Sequence, residues 1–378
     1  MIMESCARAG VKRDFLAELC SVEDVHEFES GYHLDVEGKR SMYRRDHLRR
    51  GRIVAAVATG TVLVIAGRIG AVAAGEKDAG RGTDEPYRLS IGGQEREFLV
   101  HVPAGYAATK RYPVVVMLHG AGGDGPGAER ETGWDRKADE EEFIAVFPTA
   151  LAGNPARTPS FLLNPRYWDD GSGRGTRVRG NIDDIAFLGA VLDDVEKRYS
   201  VDTQRVYLTG FSSGASMTFH AAVAPTLCTR FAAAAPVSGQ FWDTDAKPAR
   251  ALPTLLLFGT EDPLNPMEGG MTRTPWGQSE KQPILQSVQA YAKVMGAPAE
   301  PAPLDWKKPG VKVAAYGPGR NGAIFLYATV EGAGHTWMDG REVLPERLMG
   351  KRTHKLNATD TIWRFFAKQV LADRVTAP

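Results

Sequence analysis

Ser212 sits in Gly210-x-Ser212-x-Gly214, inside the run VYLTGFSSGASM from Val206 to Met217, and that spacing could build an exposed nucleophile. A serine on a sharp strand-to-helix turn adopts a strained backbone, and residues two positions either side must lack bulk. Glycine meets that need at both positions. Arg205 to Leu208 alternates like a strand, and Ser213 to Val223 runs without a breaker until Pro225, so strand, turn and helix arrive in the required order. In a chain of 41 glycines the pattern alone is weak, and an ordinary glycine turn reads the same way.

A serine hydroxyl near neutral pH needs a base to take its proton and a carboxylate to hold that base in one tautomer. The expected chain order is Ser, acid, His. Beyond His220, the histidines after the elbow are His335 and His354. His335 lies in VEGAGHTW, a glycine-rich loop directly after the strand-like IFLYATV, and is read as the base. His354, among Lys351, Arg352 and Lys355, reads as a solvated surface residue. The strand-like LPTLLLF from Leu252 runs into Gly259-Thr260-Glu261-Asp262-Pro263, placing carboxylates at a strand's C-terminal end, where catalytic groups gather in open α/β sheets. Asp262 is preferred because Pro263 restricts it to an extended conformation. Glu261 as the acid, or Asp262 as a turn cap, is the alternative.

Acyl chemistry on such a serine also needs two backbone N–H donors for the oxyanion, and losing one costs about 10²- to 10³-fold in rate. Ser213 supplies one. The other is expected after the strand-like YPVVVML, in the glycine-rich run from His119 to Gly125, from Ala121 or Gly120. His119 reads as a brace for that loop rather than a second base.

These groups need a scaffold, and strand and helix signals alternate in the manner of a mostly parallel α/β sheet. Strands are predicted at 87–91 and 95–102 around the Gly92-Gly93 turn, then near 113–118, 143–147, 205–209, 232–237 and 254–258, with 311–316 and 324–330 as a hairpin. Helices are predicted near 129–141, 184–199, 213–224, 279–294 and 358–371, with Asp183 or Asp184 capping the second. Thr149 to Ile182 is a long connection, and such loops are often functional. Trp168 and Trp337 are expected to line an apolar substrate cleft; Trp276 reads equally as plain packing. Arg166, Arg174, Arg177 and Arg179 read as a solvated charged loop rather than a site for an acidic polymer.

With 43% hydrophobic residues the chain can bury a large core, and 46 basic residues against 46 acidic leave no net charge to recruit nucleic acid. No paired-cysteine or clustered-histidine spacing points to a metal, and no cofactor is expected. Of Cys6, Cys20 and Cys228, the last is read as a small buried apolar residue.

Arg44, Arg45, Arg49, Arg50 and Arg52 precede an apolar run from Ile53 to Gly67, and Ala71-Val72-Ala73-Ala74 follows. That layout predicts a signal peptide over 42–74 and an exported, extracellular or periplasmic protein. An uncleaved membrane anchor over 53–74 is the alternative, although Arg68 interrupts the apolar window. The arginine cluster is similar to a twin-arginine export signal. Met42 stands just before it, so residues 1–41 are either upstream of the true start or a cytoplasmic extension. Residues 75–85 read as a linker and 86–378 as the catalytic domain.

Taken jointly, LHGAGG, the segment Asp183 to Phe187, RVYLTGFSSGASM, FAAAAPVSG, GTEDPLNP with Gly269-Gly270, and GAGHTW resemble the α/β-hydrolase esterases that include poly(3-hydroxybutyrate) depolymerases and feruloyl or acetylxylan esterases. The resemblance runs from about Tyr87 to Val370. It implies an α/β-hydrolase fold, with a mostly parallel sheet of eight or more strands and helices on both faces. It implies Ser212 as nucleophile, Asp262 as acid and His335 as base, acting on a polyester or a hydroxycinnamoyl or acetyl ester. Ser213-Gly214-Ala215 and Met338 depart from the usual Asn-Gly-Gly and proline, which bears on the substrate more than on catalysis. An acyltransferase, or a non-catalytic binding protein of the same fold, is the alternative.

Overall fold

Gly92 and Gly93, with φ of 57° and 77°, turn strand β1 (Thr83–Ile91) back into β2 (Gln94–Val102) as an antiparallel hairpin. The computed structural model describes residues 80–173, 183–304, 306–341 and 344–371. The signal peptide, anchor and extension expected over 1–74 lie outside these residues, as do Arg174, Arg177 and Arg179. The expected linker is too long by three residues: Thr83, Asp84 and Glu85 pair with Val102, His101 and Val100.

The chain continues through β3 (Tyr112–Leu118), helices α1 (Gly125–Thr132) and α2 (Trp134–Glu141), β4 (Ile144–Pro148), α3 (Asp184–Arg198), β5 (Val201–Phe211), α4 (Ser213–Val223), β6 (Ala233–Val237) and β7 (Thr254–Gly259). A small hairpin of β8 (Gly270–Thr274) and β9 (Gly277–Lys281) follows, then α5 (Ile284–Val294), β10 (Ala302–Leu304), β11 (Val311–Tyr316), β12 (Phe325–Val330), α6 (Glu346–Met349) and α7 (Ala358–Phe366). The main sheet has ten strands in the order β1-β2-β4-β3-β5-β6-β7-β12-β11-β10. Its centre, from β4 to β12, is parallel, and the two margins are antiparallel. This is the α/β-hydrolase fold.

Strands β3, β4, β6 and β7 are buried along their whole length because both faces are covered. Along β3, Val114, Val116 and Leu118 join a core with Phe187 of α3 and Met217 of α4, whereas Val115 and Met117 face Trp134 of α2 and Phe366 of α7. Val313 and Ala328 join that second layer, and a third cluster lies between β7, β12 and α5, centred on Tyr291. Cys228 is buried and free.

Three helices differ from expectation. The helix expected over 129–141 is two helices, broken at Gly133, whose φ of 67° caps α1 by donating its N–H to Glu129. The helix expected from 279 begins at Ile284, because 277–281 pairs with 270–274 across a Pro275-Trp276 turn and Pro283 stands at the helix entry. The last helix ends at Phe366 rather than 371. Asp183 caps α3 by accepting the Ala186 N–H, while Asp184 is buried against Arg96 at 2.6 Å. No described helix is long and apolar enough to cross a membrane.

Candidate active site

β5 delivers Ser212 to the C-terminal edge of the parallel strands with φ 56° and ψ −116°, a region costing about 1–3 kcal/mol that persists only when its surroundings impose it. They do so through the flanking glycines. A Cβ on Gly210 would lie 2.3 Å from the Gly214 carbonyl oxygen, and one on Gly214 would lie 2.2 Å from that of Leu118. The turn aims Ser212 away from the sheet, at the entry to α4.

Two further strand ends meet it. The Ser212 hydroxyl donates to His335 Nε2 at 2.8 Å, and His335 Nδ1–H donates to Asp262 Oδ2 at 2.7 Å. His335 follows β12 and Asp262 follows β7, which are paired in parallel, so their loops open side by side. Asp262 Oδ1 accepts the N–H groups of Leu264 and Asn265, each at 2.8 Å, so every oxygen of this buried carboxylate is satisfied and its direction is set. Asn265 in turn donates to the Ser238 carbonyl at 2.9 Å. The Phe211 ring packs 4.9 Å from the imidazole. Of the two neighbouring carboxylates, Asp262 faces His335. Glu261 points to solvent, 3.6 Å from Lys351, and His354 is exposed beside Asp339.

The N–H groups of Ala121 and Ser213 donate to no partner among the described residues, whereas Gly122 donates to Arg166 at 2.8 Å and Gly123 to Gly120 at 3.1 Å. Gly120 lies close enough to Ser212 that a Cβ on it would be 3.4 Å from the serine Cβ. The loop is braced by His119, whose Nδ1–H donates to the Gly120 carbonyl at 2.7 Å and whose Nε2 accepts the Ala150 N–H at 3.0 Å. Burial pushes this imidazole down to about 4, so it is neutral near pH 7.

Trp168 does not line the cleft. It is 1% exposed, packs its ring 5.1 Å from His119, and donates Nε1–H to the His119 carbonyl at 2.8 Å. Its expected substrate contact is therefore corrected to a buttress beneath the loop. Trp337 reaches the cleft wall but is nearly buried, with Nε1–H on Thr359 at 2.9 Å.

The cleft over Ser212 has a volume of about 690 Å³ and is mostly apolar, with Phe161, Phe211, Leu264, Trp276 and Trp337 in its walls. Trp276 comes from the turn of the β8–β9 hairpin and packs on Phe161 and Tyr167, so an unpredicted hairpin supplies one wall. Its signal was the Gly269-Gly270 and Pro275 to Gly277 punctuation around a short polar run. Glu131 is a residue that sequence reasoning missed: it lines the same cleft, and burial pushes its carboxyl up to about 8. Nothing local distinguishes it from any other helix glutamate. Chemically, a serine paired to a fixed imidazole, beside free amide donors and an apolar cleft, can carry an acyl group.

The model of the phospholipase/carboxylesterase family matches residues 105–282. The chain is 28% identical over 289 residues to a putative esterase, NocK, of Nocardia uniformis subsp. tsuyamanensis, spanning 72% of this chain and 79% of that one. It is 31% identical over 170 residues to a bifunctional acetylxylan esterase/xylanase of Neocallimastix patriciarum, a match that spans 45% of this chain and 22% of that much larger protein. Among solved structures, the acetyl xylan esterase from Aspergillus awamori superposes with a TM-score of 0.50 at 17% identity, over 75% of this chain and 99% of that one.

Proposed function

We propose that the chain is a carboxylic ester hydrolase on the α/β-hydrolase fold, in which Ser212, His335 and Asp262 carry the reaction through an acyl-enzyme. His335 Nε2 takes the Ser212 proton as Oγ attacks the ester carbonyl, and Asp262 holds the imidazole in that tautomer. The N–H groups of Ser213 and Ala121, or Gly120 in place of Ala121, receive the oxyanion. His335 then passes the proton to the departing alkoxide. Water repeats the sequence on the acyl-enzyme, and the acid leaves. The observation that carries this reading is the continuous hydrogen-bonded line from Ser212 through His335 to Asp262, whose far oxygen is already held by two amides.

A cleft of about 690 Å³ falls in the range that buries a whole small ligand and far exceeds an acetyl group. Its aromatic walls fit a hydroxycinnamoyl or short hydroxyalkanoate acyl group, the substrate class of a feruloyl esterase or a polyester depolymerase. The arginine-led apolar segment over 42–74 supports export of this enzyme, with the hydrolase domain beginning at Thr83.

The test is hydrolysis of p-nitrophenyl esters, methyl ferulate, hydroxybutyrate oligomers and acetylated xylan, each beside Ser212→Ala. Cleavage lost in the variant and strongest on methyl ferulate or on the oligomers supports the assignment and chooses between the two acyl classes. Turnover retained in Ser212→Ala rejects the nucleophile, and strongest cleavage of acetylated xylan rejects the reading of the cleft.

A further inference from the structure

A second buried imidazole lies where β1, β2 and α1 meet. His101, wholly buried on β2, places Nε2 3.2 Å from Asp139 Oδ1, a carboxylate that also accepts the N–H groups of Gly82 and Ala104. Its Nδ1 lies 2.6 Å from Asp84 Oδ1 on β1, so carboxylates stand against both nitrogens of one ring. Glu129 of α1 closes the group: one donor atom from each of Asp84, His101 and Glu129 lies within 4.8 Å of the others. Glu129 is 6% exposed and its Oε1 has no hydrogen-bond partner among the described residues, nor has Oδ1 of the adjoining, similarly buried Asp135. Arg81, 3.4 Å from Asp84 and 3.6 Å from Asp135, is more than half exposed and screens these charges weakly.

Buried carboxylate oxygens without partners are costly, and a surplus of carboxylates around one imidazole is resolved by a proton or by a cation. We propose that Asp84, His101 and Glu129 bind a divalent cation of the zinc or manganese type, a structural site separate from the Ser212 cleft. The donor set of one imidazole nitrogen and carboxylate oxygens suits those ions better than calcium or magnesium, which prefer oxygen throughout. The Asp139 carboxylate on the far ring nitrogen is the outer support that metal-bound histidines ordinarily have. Metal–donor bonds of about 2.0–2.2 Å in a tetrahedral site place donors about 3.3–3.6 Å apart, so a bound cation would replace the 2.6 Å contact between His101 Nδ1 and Asp84 Oδ1 and reset the spacing of all three donors. The site would pin the edge hairpin to α1, the helix that begins directly after the loop carrying Ala121.

The test takes purified protein stripped with a chelator, titrates it with Zn²⁺ at pH 7.5 by calorimetry, and compares Glu129→Gln and His101→Gln. We expect one equivalent per chain, a thermal midpoint raised by the ion, and affinity lowered at least tenfold in both variants. Co²⁺ in place of Zn²⁺ should give visible absorption from imidazole and carboxylate ligation, absent in the variants. Short-ester turnover by Glu129→Gln should stay within twofold of the parent. Glu129→Gln is close to isosteric and keeps the test informative where His101→Gln does not fold. The proposal is overturned if the parent binds no stoichiometric ion, or if Glu129→Gln binds it as tightly. It is also overturned if Glu129→Gln stabilises the metal-free protein while neither form responds to Zn²⁺, because the carboxylates then share a proton.

Discussion

A buried imidazole held by a carboxylate occurs at His335 and again at His101, and the two surroundings use the same residue types to different ends. At His335 the ring nitrogens are spent on one ionised acid and one neutral hydroxyl, and the acid's second oxygen takes two amides. A proton that moves from Ser212 to the ring makes an imidazolium directly beside that acid. At His101 both nitrogens face carboxylates, a third carboxylate adjoins, and buried oxygens are left without partners. A hydroxyl on a strained turn makes the first a place where a proton can travel, whereas an excess of fixed anions makes the second a place where a cation can rest.

The largest expected effect separates the two acids beside the first histidine. Asp262→Asn should lower turnover of a short ester about 10³- to 10⁴-fold, since the amide stabilises the wrong imidazole tautomer. Glu261→Gln should leave turnover within twofold. Equal losses in the two would break the contrast between a directed carboxylate and an exposed one.

Next in size are the supports of the elbow. In Gly214→Ala the new methyl group meets the Leu118 carbonyl at 2.2 Å, a contact with backbone that no side-chain motion relieves, so urea unfolding should show a loss of about 3 kcal/mol or more. Unchanged stability would show that the sheet edge yields there.

The third concerns His119, a buried histidine with no carboxylate on either nitrogen. Its imidazole is depressed to about 4 from an ordinary 6.5, so the unfolded chain binds a proton that the folded one refuses. This contribution is fully present above pH 6.5 and is lost as pH falls towards 4, a change of about 3 kcal/mol. His119→Gln should flatten the pH dependence of unfolding in that window. A dependence as steep as the parent's would assign it elsewhere.

The smallest effect is at Glu131, which is partly exposed in the cleft, so that water screens most of its shift. Its carboxyl is raised to about 8 from 4.5, so the folded state keeps a proton that the unfolded state releases, and stability is lost as pH rises from 4.5 to 8. Glu131→Gln removes that loss, and its thermal midpoint should overtake the parent's by a few degrees at pH 8 while matching it at pH 4. A constant difference at both pH values would count against the burial of this carboxyl.

The parallel centre of the sheet was legible because its signal is local: YPVVVML, LPTLLLF and FLYATV are runs dominated by apolar residues, as strands covered on both faces need. A cap at Asp183 or Asp184 was likewise visible, since a cap acts within one turn, and the structure gives it to Asp183. The β8–β9 hairpin was not, because GMTRT and GQSEK are short and polar and lie over the cleft rather than in the core. Trp168 was misplaced for a related reason: a tryptophan in a long loop reads the same whether the loop exposes it or folds it under His119.

The sequence by itself determined the turn at Ser212, because the glycines two residues either side state a steric need that no fold can alter. It also narrowed the choice of partners to His335 and to Asp262 or Glu261. Which carboxylate turns inward, and that Asp84, His101 and Glu129 converge at all, was decided by the tertiary structure. Those relations depend on strand pairing and on the docking of α1, and an imidazole is oriented by whatever surrounds it rather than by its neighbours in the chain.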